Sequence, residues 1–242
     1  MFKMKQILIL VLGASLFIGQ QAKAQNTNAT AAVVGGLAAL GAGIAAVHQM
    51  QEQAELTATE WLLSNYPQYK QFSLKTLDFD GKKLKDLSST SVITYKIQEF
   101  SVSDNKPVLG NKLVLLGFTS YGWVNDNGIN FDKVKWFLID QTEWINMMTT
   151  YTKIASGIKD ESLIRKTLLN GKVVNKGVVS KKYDKIDFIK INGDMYLVGD
   201  YSSEMRFVYN ERSMGIYLKE THNLIQMGRD DLIKIHAFFL DE

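Results

Sequence analysis

Apolar positions along this chain follow three patterns, and each predicts a different element. Residues 31–47, AAVVGGLAALGAGIAAV, are an unbroken run of seven Ala, four Gly, three Val, two Leu and one Ile. Within it Val33, Leu37, Leu40, Ile44 and Val47 recur at intervals of four and three, which puts them on one stripe of a helix. Gly35, Ala39 and Gly43 recur every fourth residue on another face, a spacing that lets helix backbones approach closely. This resembles a glycine zipper. As a helix the run extends about 25 Å, the short end of what spans a bilayer. Each interior Gly costs about 1 kcal/mol relative to Ala, and a helix of this length is marginal alone in water. Lipid, another copy of the chain or its own domain has to support it; the competing reading is a flexible Ala/Gly spacer.

Helix-forming residues continue from His48 to Tyr66 and stop at Pro67. Thr57 followed by Glu60 fits a capping box, which predicts a second helix from there, docked through Leu56, Trp61 and Leu63, with Gln49–Glu55 as a polar stalk. Beyond Pro67 the pattern changes to β-branched and aromatic runs at 91–102, 112–123, 185–191, 194–201, 206–210, 215–220 and 232–240. Asn192-Gly193 between two of them predicts a type I′ hairpin. Two helices interrupt the strands. Asp140 with Glu143 caps the first, whose Trp144, Met148, Tyr151 and Ala155 share a face and which ends at Ser156-Gly157; the second spans Asp160 to Leu169. The expected fold class is α+β: an N-terminal Ala/Gly-rich helix, then a mainly antiparallel β domain with a two-helix insert.

The first residues decide where the chain acts. Lys3 and Lys5, an apolar stretch from Ile7 to Ile18, and Ala22-Lys23-Ala24 match a secretory signal peptide cut before Gln25. The expected organisation is a signal peptide at 1–24, a small-residue helix and polar stalk at 25–56, and a globular domain at 57–242. Lys3, Lys5 and Lys23 account for the whole formal excess of +3, so cleavage leaves a neutral chain. Nucleic-acid binding, which needs clustered positive charge, is not expected. No cysteine is present, which removes thiol chemistry, Cys-ligated metals and an acylated N-terminal cysteine.

Candidate chemistry is sparse. Asp78-Phe79-Asp80-Gly81 and Asn125-Asp126-Asn127-Gly128 resemble calcium loops at their centres. In the first, however, Lys82 and Lys83 follow where more oxygens are needed, and in an EF-hand register the second places Trp123 and Val134 where carboxylates belong, so both read as turns. His48, His222 and His236 have no evident converging partners. No metal, cofactor or catalytic residue is assigned. Aromatics crowd between Tyr121 and Tyr151, mostly as expected core; Trp123 and Tyr121 stand out as candidates for partner or ligand binding, with Trp123 the more exposed. The sequence predicts a non-enzymatic exported protein in the periplasm or outer membrane of a Gram-negative cell. Through 31–47 it associates with a membrane or with its own copies, and its domain binds an envelope protein partner. The alternatives are a soluble periplasmic ligand- or carbohydrate-binding module and, behind it, a secreted hydrolase.

Overall fold

In the computed structural model, residues 44–77, 91–125, 128–170, 188–191, 194–210 and 213–240 are described. Helix α1 (Ile44–Asn65) leads into strand β1 (Phe72–Thr76), then β2 (Val92–Ser103) and β3 (Lys106–Thr119). The β2–β3 hairpin turns at Asp104 and Asn105, with φ of 50° and 58°. These residue types tolerate the left-handed region that tight hairpin turns require. A two-strand excursion, β4 (Val124–Asn125) and β5 (Gly128–Ile129), precedes β6 (Val134–Asp140). All pairings in the resulting β1-β2-β3-β6 sheet are antiparallel.

Helices α2 (Gln141–Ser156) and α3 (Glu161–Leu169) follow. Asp140 caps α2 by accepting the Glu143 N–H at 2.7 Å, and Gly157 ends it at φ 68°, a conformation that glycine adopts without steric cost. Asp160 caps α3 through the Leu163 N–H. Strands β7 (Phe188–Ile191), β8 (Asp194–Asp200), β9 (Met205–Tyr209), β10 (Ser213–Leu218) and β11 (Leu224–Gly228) form a second antiparallel sheet in sequential order. Helix α4 (Arg229–Leu240) completes the described chain. The α+β class is therefore observed, with a helix ahead of two antiparallel sheets and two helices inserted between them.

Strand β3 explains how the layers assemble. Every residue from Leu113 to Phe118 along it is buried, because both faces of the first sheet are covered. Leu113 and Leu115, with Tyr95 and Ile97 of β2, pack against Ala54, Ala58 and Leu62 of α1. The alternate residues Val114, Leu116 and Phe118 enter a larger core. There they meet Trp144, Met148 and Tyr151 of α2, Phe207 of β9, Ile216 of β10 and Ile235 of α4. Gly117 is required by a close approach: a Cβ there would lie 2.9 Å from the ring of its cross-strand partner Trp136. That ring in turn stacks on Trp61 of α1 at 5.6 Å.

Three local expectations change. Thr57 does not start a helix; α1 runs through it, and its hydroxyl donates back to the Gln53 carbonyl at 3.0 Å, a usual mid-helix bond for threonine. The docking face is Ala54, Ala58 and Leu62, spaced by four, while Leu56 and Leu63 face solvent. The apolar run at 232–240 is a helix and not a strand. Leu232, Ile235, His236 and Phe239 are buried at helical spacing, and Asp230 and Asp231 in the first turn favour the helix N-terminus.

Candidate functional site

The positions singled out for helix packing lie mostly beyond view: Val33, Gly35, Leu37, Ala39, Leu40 and Gly43 are outside the described residues. Ile44 and Val47 fall in the first turns of α1. No helix among the described residues is long and apolar enough to cross a membrane. What the structure does show is how the helix that follows the small-residue run is held. Glu55, 8% exposed, reaches from α1 to β1. One of its oxygens accepts the Thr76 backbone N–H at 2.9 Å and the Thr76 hydroxyl at 3.0 Å; the other accepts from Lys75 at 3.0 Å. Gln51 donates to the Thr76 hydroxyl at 2.8 Å. The stretch expected to be a polar stalk thus carries the polar half of a docking interface.

Burial alone raises the Glu55 pKa, but the Thr76 N–H, Lys75 and Gln51 together outweigh it and hold the carboxyl below its ordinary 4.5. A carboxyl with a depressed folded pKa stabilises fully above the unfolded value, and that contribution is lost as pH falls through the folded one. Glu55→Gln should therefore lower the urea midpoint at neutral pH. Its difference from the natural protein should shrink steadily below about pH 4.5, the range over which unfolded glutamate gains its proton. An equal difference at pH 7 and pH 3 would mean that the charge contributes nothing.

Of the two aromatic candidates, the structure exchanges their roles. Tyr121 is 76% exposed, whereas Trp123 is 5% exposed. The Trp123 backbone N–H donates to the Ser120 carbonyl at 3.1 Å and its backbone carbonyl accepts from the Asn130 N–H at 2.6 Å, while the indole is buried. Tyr121 precedes Gly122, whose φ of 76° turns the chain and leaves the phenol on the outside. The other crowded aromatics follow the core expectation: Trp144 and Tyr151 are buried, and Trp136 and Phe137 are packed against the two cores.

The three histidines sit on three different elements. His48 is exposed on α1. His222 sits in the β10–β11 turn at φ 57°, its Nδ1 2.8 Å from the Tyr217 hydroxyl. His236 is buried, with Nδ1 3.1 Å from Trp144 Nε1 and Nε2 3.0 Å from the Leu168 carbonyl. A carbonyl only accepts, so Nε2 bears the proton, and burial lowers the pKa of a ring held neutral in this way. No group of three or more potential metal-ligating side chains occurs among the described residues. The acidic turn at 78–81 lies outside them, as do Asp126 and Asn127.

Two features that the sequence reading missed adjoin each other. Strand β1 pairs with β2 only as far as Glu99, and β6 pairs with β3 only from Leu113, so the hairpin projects beyond its sheet. Val102, Val108 and Leu109 on this arm are 61%, 50% and 69% exposed. Phe100 opposes Leu109 and Val102 opposes Pro107, which gives one side of the arm an apolar face. At the arm's base, Gly110 and Asn111 together oppose Glu99 in a bulge. Beside that bulge lies an open groove of about 680 Å³. Its walls are the bulge and Lys112, the first turn of α2 from Asp140 to Thr142, and Tyr69; Leu113, Phe239 and Leu240 supply apolar surface. Burial and then the Glu99 carboxylate raise the Tyr69 phenol pKa, keeping it a hydrogen-bond donor. One sequence cue for the arm existed: Val108 and Leu109 are adjacent apolar residues right after a turn, a position usually polar. No protein-family model, no curated protein and no solved structure matches this chain.

Proposed function

We propose that this chain is a non-enzymatic exported protein of the cell envelope, in the periplasm or outer membrane of a Gram-negative cell. Residues 31–47 join it to a membrane or to its own copies, and the α+β domain docks an envelope protein partner. The observation that carries this reading is the continuity of α1. It contains the last residues of the small-residue run, from Ile44, and the face of Ala54, Ala58 and Leu62 that is buried on the first sheet. Whatever the run packs against is thereby coupled to the domain by a single helix, about 10 Å from the end of the run at Val47 to the docking face at Ala54, rather than by a flexible stalk. The arm's exposed Val102 and Leu109, on one face with Phe100 and Pro107, offer the apolar anchor that a protein partner needs.

Chemical crosslinking of cells expressing the full chain tests the coupling. Gly35→Ile with Gly43→Ile should lower the crosslinked oligomer or complex about tenfold, the effect of losing one close helix contact, with the domain still folded. Deleting 31–47 should move the protein from the carbonate-washed membrane pellet to the supernatant. Unchanged crosslinking together with unchanged pelleting would remove this reading.

A further inference from the structure

We propose that the groove at the base of the β2–β3 arm binds a short neutral oligosaccharide. This goes beyond the docking role and does not depend on it. Unused hydrogen-bonding capacity converges there from two walls. Asn111 Nδ2 donates to Glu99 at 2.8 Å, which fixes the amide plane and leaves its oxygen and second N–H for a ligand. Asp140 spends one oxygen on the Glu143 N–H. Gln141 and Thr142 make no side-chain hydrogen bond among the described residues. Planar amides and a carboxylate beside an apolar surface suit a ring with hydroxyls on its edge and C–H groups on its face. Tyr69, half-buried and held 6.0 Å from the Tyr66 ring, supplies an aromatic ring at the rim. The volume lies within the roughly 300–1,000 Å³ that small-molecule ligands occupy.

The same residues argue against other ligands. An anion is disfavoured because the Asp140 carboxylate already occupies the N-terminus of α2. A metal cation is disfavoured because Asp140 is the single carboxylate among the lining residues and already accepts the Glu143 N–H. An extended peptide adding to the sheet would meet Pro107, which has no N–H, and then the bulge at Gly110 and Asn111. Both features blunt the edge of a strand.

Saturation-transfer NMR on the full chain, with N,N′-diacetylchitobiose, cellobiose and maltose as probes and digalacturonate as the charged control, decides the matter. Transfer to at least one neutral disaccharide is expected. Asn111→Ala combined with Gln141→Ala should weaken it about tenfold, and Gln141→Ala alone should weaken it measurably without any risk to the fold. Ile158→Ala, on the exposed loop between α2 and α3 and away from the groove, should leave it unchanged. No transfer to any neutral probe, binding indifferent to both groove variants, or preference for digalacturonate would each overturn the proposal. The crosslinking and fractionation results would be untouched by such a failure.

Discussion

Replacing Trp144 with alanine should lower the unfolding free energy by about 4 kcal/mol. The indole is fully buried and stacks on Phe239 at 6.4 Å. Its N–H is the donor to His236 Nδ1, and His236 Nε2 donates in turn to the Leu168 carbonyl. Trp144 belongs to α2, Leu168 to α3 and His236 to α4, so one chain of hydrogen bonds bolts three helices together. Alanine opens a cavity and strands a buried acceptor, two penalties that add. Trp144→Phe separates them: it keeps much of the ring and loses only the donor, with an expected cost nearer 1–3 kcal/mol. Urea unfolding followed by circular dichroism reads both. Against a typical domain stability of about 5–15 kcal/mol, the alanine variant should be marginal. If both variants cost the same, the hydrogen bond and not the ring volume dominates, and the cavity argument fails.

Leu62→Asp should be almost as damaging but local. Leu62 is fully buried between α1 and the outer face of the first sheet, in a cluster with Tyr95, Ile97 and Leu115. The substitution removes about 2–5 kcal/mol of apolar packing and asks an unpaired carboxylate to leave water. Helix α1 should release, while the core around Trp144, which contains no residue of α1, keeps its packing. Hydrogen exchange distinguishes this from global unfolding. Amides of α1 and β1 should exchange quickly while those of β9 and β10 stay protected. Uniform loss of protection would show that the two cores fold as one unit.

How much of this was legible depends on how local the signal is. Asp140, Asp160 and Gly157 announced their helix ends because caps are written within four residues. The hairpin at 188–200 was readable for the same reason. Strand β6, VKWFLID, carries no clean alternation because it lies in a sheet covered on both sides, and it went unread. So did β1, which is only five residues long. At 232–240 the β-branched and aromatic content favoured a strand, and the weaker three-and-four spacing of Leu232, Ile235, His236 and Phe239 was the true signal. The groove could not be found from the sequence at all. Tyr69, Asn111, Gln141 and Phe239 belong to four separate segments, and only the sheet register and α4 bring them together.

The burial of β3 on both faces has a consequence for strand pairing. In a half-exposed strand, slipping by one residue would turn its apolar side to water, and that penalty enforces the correct alignment. From Leu113 to Phe118 the penalty nearly vanishes, since either face offers residues fit for a core. Alignment therefore rests on a few features that cannot be shifted. Trp136 finds room only opposite Gly117, Glu55 engages the one N–H at Thr76, and the Thr119 hydroxyl accepts the Ser91 N–H. The apolar residues give this sheet its cohesion, but its fidelity depends on a glycine, a carboxylate and a hydroxyl.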